Sequence, residues 1–475
     1  MMTRLILIAL ALVAALTGKA GASLTLQEVL TSAREHAPKL LEQQAALRGA
    51  EGSVLAAEGA FDTTLDVEFR SRATGSWSGS YLKADAKRAL TDNGVSVYGG
   101  YRVSDGRFPT YEDQYFTNSL GEFKLGVLVP LLQDRAFDTN RFRVADARLK
   151  REQEQIKTLI QAIEVQRNAT IAYWEWVVAG HQLRVYEHLL AIAKQRDTAL
   201  SRQVEEGAIA NFALLENQQN ITRRQTLVMN ARQKFLMAAN KLSLYYRSPK
   251  GIPQQPEEAQ LPAMAEVFTG IAGVNLTTGP TEALVAKRPE LESLNVALDR
   301  ARQKLRLGEN GLKPQLTLMG EVSRDFGGIA EGGSSRDSTD AIVGVRFSIP
   351  LGQRAARGSF RSAKADLDRL SFQRQRLMEQ FIVELENLTL GVEMSQQRLM
   401  LTRQNAAQTQ AMQKAEEIRF ANGASDFFLL NVREEAASRA QIDHLLAALE
   451  FHASMASYSA AMMDLETLGL EEMPL

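Results

Sequence analysis

Two hydrophobic periods alternate along the chain. Leu65, Val67 and Phe69 stand against Asp66, Glu68 and Arg70, and Val95, Val97 and Tyr101 against Ser96, Tyr98 and Arg102. This is the period of two that gives a strand one apolar and one polar face. It returns where Leu316, Leu318 and Val322 alternate with Thr317, Met319 and Glu321. It is cleanest along Ala341, Val343, Val345, Phe347 and Ile349, opposite Arg346 and Ser348. Such a row suits the lipid-facing wall of a barrel. Elsewhere the period is helical. Ile221, Val228, Ala231, Phe235, Ala238, Leu242 and Tyr245 follow coiled-coil spacings, and Phe381, Leu385, Leu388, Val392 and Leu399 keep the same rhythm. Helices are predicted over 138–206 and 354–422, each 69 residues long. At 1.5 Å per residue such a rod reaches about 100 Å and needs coiled neighbours along its whole length.

The pattern is written twice. APKL at 37–40 falls on RPEL at 288–291, and Ala46, Leu47, Ala50 and Leu65 fall on Ala297, Leu298, Ala301 and Leu316. Farther on, VPLLQ at 129–133 meets IPLGQ at 349–353, and EEGA at 205–208 meets ANGA at 421–424. Anchors kept in one order describe a duplicated domain. The first structural repeat is 23–247, with strands within 63–129 and a helical hairpin over 138–246. The second is 281–468, with strands within 314–349 and a hairpin over 354–468. A shorter helix opens each copy, over 24–60 and 281–311. Residues 248–280, rich in Pro, Gly and Thr, form a linker, and 469–475 a tail. The first strand region is longer than the second by 31 residues. The surplus, around 81–102 with an Asp-Asn-Gly turn at 92–94, reads as an added hairpin that either lengthens an outer loop or adds strands.

Composition narrows the chemistry. Lys and Arg number 55 against 56 Asp and Glu, so the chain has no charge excess to attract a phosphate backbone, and no nucleic-acid partner is expected. Cysteine is absent, which removes disulfides, thiolate metal sites and thiol nucleophiles. His36, His181, His188, His444 and His452 show no metal-ligand spacing, and no phosphate loop, nucleophile elbow or paired-acid pattern stands out. The expectation is a non-enzyme with no catalytic residue, no cofactor and no metal. Tyr173, Trp174 and Trp176 read as filling for a helix seam. Residues 1–22 read as a signal peptide, with Arg4, an apolar stretch at 5–16 and Ala20-Gly21-Ala22 as the cleavage site. Beyond it no run of about 18 apolar residues occurs, so any entry into a membrane has to be as a barrel.

Four clear strands leave open edges that lipid does not tolerate, so several chains must share one barrel. Three chains would give twelve strands; dimers and tetramers satisfy closure as well.

The duplicated pattern, NRFRVADARL at 140–149 after VPLLQD, KPQLTL at 313–318 and the two Gly turns resemble the TolC-type trimeric outer-membrane channels, or outer membrane efflux proteins. The resemblance covers nearly all the chain beyond residue 22. It implies a mainly α fold with membrane β, in which long coiled helices form a periplasmic tunnel and about four strands per chain join a shared trimeric 12-stranded β-barrel. It implies a homotrimer in the outer-membrane lipid of a Gram-negative bacterium, extending into the periplasm. The partners implied are a periplasmic adaptor (membrane fusion) protein and an inner-membrane efflux or secretion pump, and the function is outward passage of a substrate. The linker and tail would form a belt around the tunnel.

In that family the adaptor grips the periplasmic tips. Here these are Glu205, Glu206, Gly207, Ala208 and Ile209, with Asn422, Gly423, Ala424, Ser425 and Asp426. Glycine suits both turns because it accepts positive φ. The chain departs from the family where Leu often follows the turn glycine and Asp lies six residues beyond it. Ala208 and Ala424, then Ala213 and Leu429, stand there, so an acidic gate ring is not implied. The competing reading is a periplasmic coiled-coil scaffold or adaptor whose strands form soluble sheet.

Overall fold

A computed structural model describes residues 23–269, 282–331 and 337–471. The signal-peptide segment, the later part of the linker and the end of the tail lie outside them. The elements are α1 (Leu26–His36), α2 (Pro38–Glu58), β1 (Thr64–Ser71), β2 (Gly79–Ala89), β3 (Ser96–Gly106), β4 (Glu122–Pro130), α3 (Thr139–Glu205) and α4 (Asn211–Leu242). Then follow α5 (Glu282–Val285), α6 (Pro289–Gly311), β5 (Gln315–Asp325), β6 (Thr339–Ser348), α7 (Arg354–Ala421) and α8 (Phe427–Met462). The long helices α3 and α7 span 67 and 68 residues. The opening helix of each copy, expected to be continuous, is broken at equivalent residues, Pro38 and Pro289. Ala37 is extended (φ −67°, ψ 121°) because a residue before proline is pushed out of the α region. Proline then begins the next helix, where its missing N–H is not needed.

The chain forms two compact units, and each draws on both repeats. One comprises Ala45–Lys157 and Glu290–Leu377. Its centre is a six-stranded antiparallel sheet in the order β1-β2-β3-β4-β5-β6, with β4 and β5 joining the two repeats, for example Leu125 opposite Val322. The strand count is therefore six per chain and not about four, because the surplus of the first repeat adds β2 and β3. The strand β3 coincides with the alternation of Val97 and Tyr101, but the signal of β2 is faint in sequence: its apolar side is made by Leu82, Ala84 and Ala86, and two alanines give little contrast. One glycine is what lets β3 pair with β4: Tyr98 lies directly opposite Gly126, where a Cβ would fall 2.2 Å from the tyrosine ring. The helical part of this unit is tied by polar contacts. Arg300 forks onto Asp146 (2.8 and 3.1 Å), and Lys304 pairs with Asp366 at 2.9 Å.

The other unit comprises the described residues within 1–44, 158–289 and 378–475. Trp176, Leu242, Val392, Leu445 and Phe451 are buried in it. Tyr173 donates to the Leu24 carbonyl at 2.9 Å and Gln166 to the Leu30 carbonyl at 3.0 Å, which fastens α1 to α3. The aromatic cluster at 173–176 is a packing seam. Trp174 stacks on His452 with ring centroids 3.8 Å apart. The described part of the linker is seated on α8: His452 Nε2 donates to the Val267 carbonyl at 2.8 Å, and Phe268 stacks on His444.

Candidate functional site

Directly opposed residues of antiparallel strands share a face. The register places Val67 beside Ala84, Ala84 beside Tyr101, Tyr101 beside Phe123, Leu125 beside Val322, and Val322 beside Ala341. One face of all six strands is thus predominantly apolar. It is also bare: Phe69 and Leu125 are each 68% exposed and Val343 is 79% exposed. A continuous apolar surface of this kind marks contact with lipid or with another protein.

The opposite face carries charges that pair with one another. Arg70 meets Glu68 at 2.9 Å, Lys83 meets Asp85 at 2.6 Å, and Arg102 meets its cross-strand neighbour Glu122 at 2.5 Å. Tyr98 donates to Glu321 at 2.7 Å. These groups require water, so the sheet separates an apolar medium from an aqueous one. Among the described residues β1 pairs only with β2 and β6 only with β5. Both outer edges therefore present backbone donors and acceptors without partners. None of the described helices is long and apolar enough to cross a membrane.

The two helical turns are built alike. Gly207 and Gly423 both have φ +73°. Ala208 N donates to the Gln203 carbonyl at 2.8 Å and Gly207 N to Val204 at 3.0 Å. Ala424 N donates to Arg419 at 2.9 Å and Gly423 N to Phe420 at 3.0 Å. This six-to-one closure is the Schellman end of a helix, which needs a left-handed residue. Asp426 caps α8 by accepting from Leu429 N at 2.7 Å, whereas Ala210 gives α4 no side-chain cap. Glu205, Glu206, Ala208, Asn422, Ala424 and Asp426 are exposed, while Ile209 and Ser425 are half-buried. Ser425 donates to Glu416.

Sequence reasoning passed over two residues here. Phe212 and Phe428 each follow a turn glycine by five positions and are 73% and 65% exposed. The repeat offset that aligned the glycines would have aligned them too.

It also passed over a buried charge cluster behind the turns. Arg224 of α4 donates to Glu434 of α8 at 2.9 Å and to the Leu189 carbonyl of α3 at 2.8 Å. Arg196 of α3 pairs with the same carboxylate and donates to Asn431 at 3.1 Å. Burial lowers the Arg224 pKa and the Glu434 carboxylate raises it, the first effect being larger. An arginine stays charged through such a shift. The available signal was the gap of seven between Ile221 and Val228, since Arg224 occupies the seam position between them. Among the described residues no group of three or more His, Asp or Glu is placed to hold a metal ion.

Residues 281–462 match the family model described as outer membrane efflux protein. The chain is 26% identical over 302 residues to the alkaline protease secretion protein AprF of Pseudomonas aeruginosa, a match covering 60% of this chain and 58% of that relative. The alignment thus spans little more than half the length of the curated relative. Among solved structures, a membrane protein from Pseudomonas aeruginosa superposes with TM-score 0.65 at 12% identity, covering 94% of each chain. The open state of the Neisseria gonorrhoeae MtrE outer membrane channel gives TM-score 0.63 at 13% identity, again covering 94% of each. These likenesses are of fold.

Proposed function

We propose that the chain is a member of the outer membrane efflux protein family and the outer-membrane channel-tunnel subunit of a tripartite efflux or type I secretion system. One observation carries this reading: a six-stranded sheet with an exposed apolar face, a charged opposite face and two unpaired edges. In lipid each unpaired backbone group costs several kcal/mol, so β1 of one copy pairs with β6 of the next until the ring closes. Three copies form the ring, and their helical hairpins reach into the periplasm. An open groove of about 750 Å³, walled by Val178, Tyr186, Leu227, Met237 and Leu446, offers a seat for a neighbouring subunit's helix. A soluble scaffold would leave Val343, Val345 and Phe347 in water.

The turns at Gly207 and Gly423 dock a periplasmic adaptor, which couples the channel to an inner-membrane pump. Their exposed backbones and the matched Phe212 and Phe428 supply the surface for it. The test combines deletion in the host with photocrosslinking from Ala208 and Ala424. Loss of drug resistance or protein export, together with crosslinks to an adaptor, supports the reading. Unchanged export and an absence of crosslinks from both turns contradict it.

A further inference from the structure

We infer that the hairpin β2–β3 is a full part of the membrane wall, so that the trimer closes an eighteen-stranded barrel in place of the twelve strands implied by the resemblance. This rests on the channel reading above. The hairpin lies inside the sheet and not beside it: β1 pairs with β2 from Thr64 to Ser71, β2 with β3 from Gly79 to Ala89, and β3 with β4 from Ser96 to Arg102. Removing β2 and β3 from the wall would strand β1 away from β4.

The two faces of the hairpin continue those of its neighbours. Leu82, Ala84, Val97 and Val103 extend the apolar side, while Lys83 and Asp85 lie on the charged side. A plug or an outer flap would have no reason to keep that alternation. Cross-strand pairing of acids with bases also leaves this wall little net charge with which to select cargo.

The turn of the hairpin is anchored where the strands give way to α3. Arg141 donates to the carbonyls of Asp92 (3.2 Å) and Asp134 (2.7 Å), and pairs with Asp138 at 2.8 Å. Gly94 turns there with φ +64°, and a Cβ on it would stand 2.2 Å from the Asp134 carbonyl oxygen. Arg141 and Gly94 thereby fix the level of β2 and β3 with respect to the helical end of the wall.

Strand spacing near 4.8 Å and a tilt near 40° give a barrel about 36 Å across between backbones for eighteen strands, against about 24 Å for twelve. Equivalent residues of a trimer would then stand about 31 Å apart in the first case and about 21 Å in the second. The chain lacks cysteine, so spin labels placed one at a time on Asp66→Cys and Val67→Cys, which face opposite sides of the wall, bracket the backbone separation in detergent-solubilised trimer, and the mean of the two is the separation read. A trimer with separations near 31 Å supports the inference. A trimer with separations near 21 Å overturns it and leaves the channel reading intact. Failure to form a trimer overturns both.

Discussion

Arg224 and Glu434 meet at 2.9 Å across α4 and α8, and their side chains are 1% and 0% exposed. Two charges so placed are held by each other and by Arg196, Asn431 and the Leu189 carbonyl. Removing one partner strands the other in a medium that cannot solvate it. Glu434→Leu is expected to lose about 3–5 kcal/mol of stability, read from denaturant unfolding of the solubilised protein. Replacing Arg196, Arg224 and Glu434 together by apolar residues should recover much of that loss, because the desolvation of the charges disappears with them.

The exposed apolar row makes a directional prediction. Val343→Arg puts a charge on the lipid side of β6 and should cost about 2–4 kcal/mol if the site lies near the bilayer midplane. Arg346→Ser, on the charged face of the same strand, should change assembly little. Refolding yield into lipid vesicles, measured for both variants, separates the faces.

At the turns the backbone sets the constraint. No atom lies within 4 Å of a Cβ built on Gly207 or Gly423, so Gly→Ala there strains only the left-handed φ, by roughly 1–2 kcal/mol each. Faster amide exchange over 203–208 or 419–424 is the expected signature. Phe212→Ser and Phe428→Ser leave the fold unchanged and weaken adaptor capture.

The linker should loosen in acid. Burial pushes His452 and His444 below the ordinary histidine range; the Val267 carbonyl opposes this at His452, and Arg403 adds to it at His444. The folded chain then holds fewer protons than the unfolded one just below the unfolded histidine value, about 6.5. Stability therefore rises with pH through that window and is lost as pH falls through it. Hydrogen exchange over 248–269, compared at about pH 7.5 and about pH 5.5, should increase in acid. His452→Gln, which keeps a donor for Val267 without titrating, should reduce the difference.

Much of this architecture was legible in the residues. Val343, Val345 and Phe347 alternate with charged and small partners because lipid and water demand it, and heptad seams at 221–245 and 381–399 mark the coiled helices. Other features were hidden for physical reasons. Ala84 and Ala86 mark β2 too weakly for periodicity to separate strand from loop; only the cross-strand pairs with Val67 and Leu65 reveal it. The charges of Arg224 and Glu434 look in sequence like those of any solvated helix face, and their burial depends on α3, α4 and α8 converging. The helical turns at Gly207 and Gly423 were legible through glycine, whose φ has a sequence signature, while Phe212 and Phe428 carry none beyond the repeat.

The central claim is that β1 and β6 are complementary edges of one shared barrel. Paired cysteines at Asp66 and Arg346, introduced into the cysteine-free chain and oxidised in outer membranes, test it most directly. The account predicts a covalent trimer on a denaturing gel, with no larger species and reversal by reductant. A linkage confined to single chains, or an open ladder of ever larger products, would contradict it.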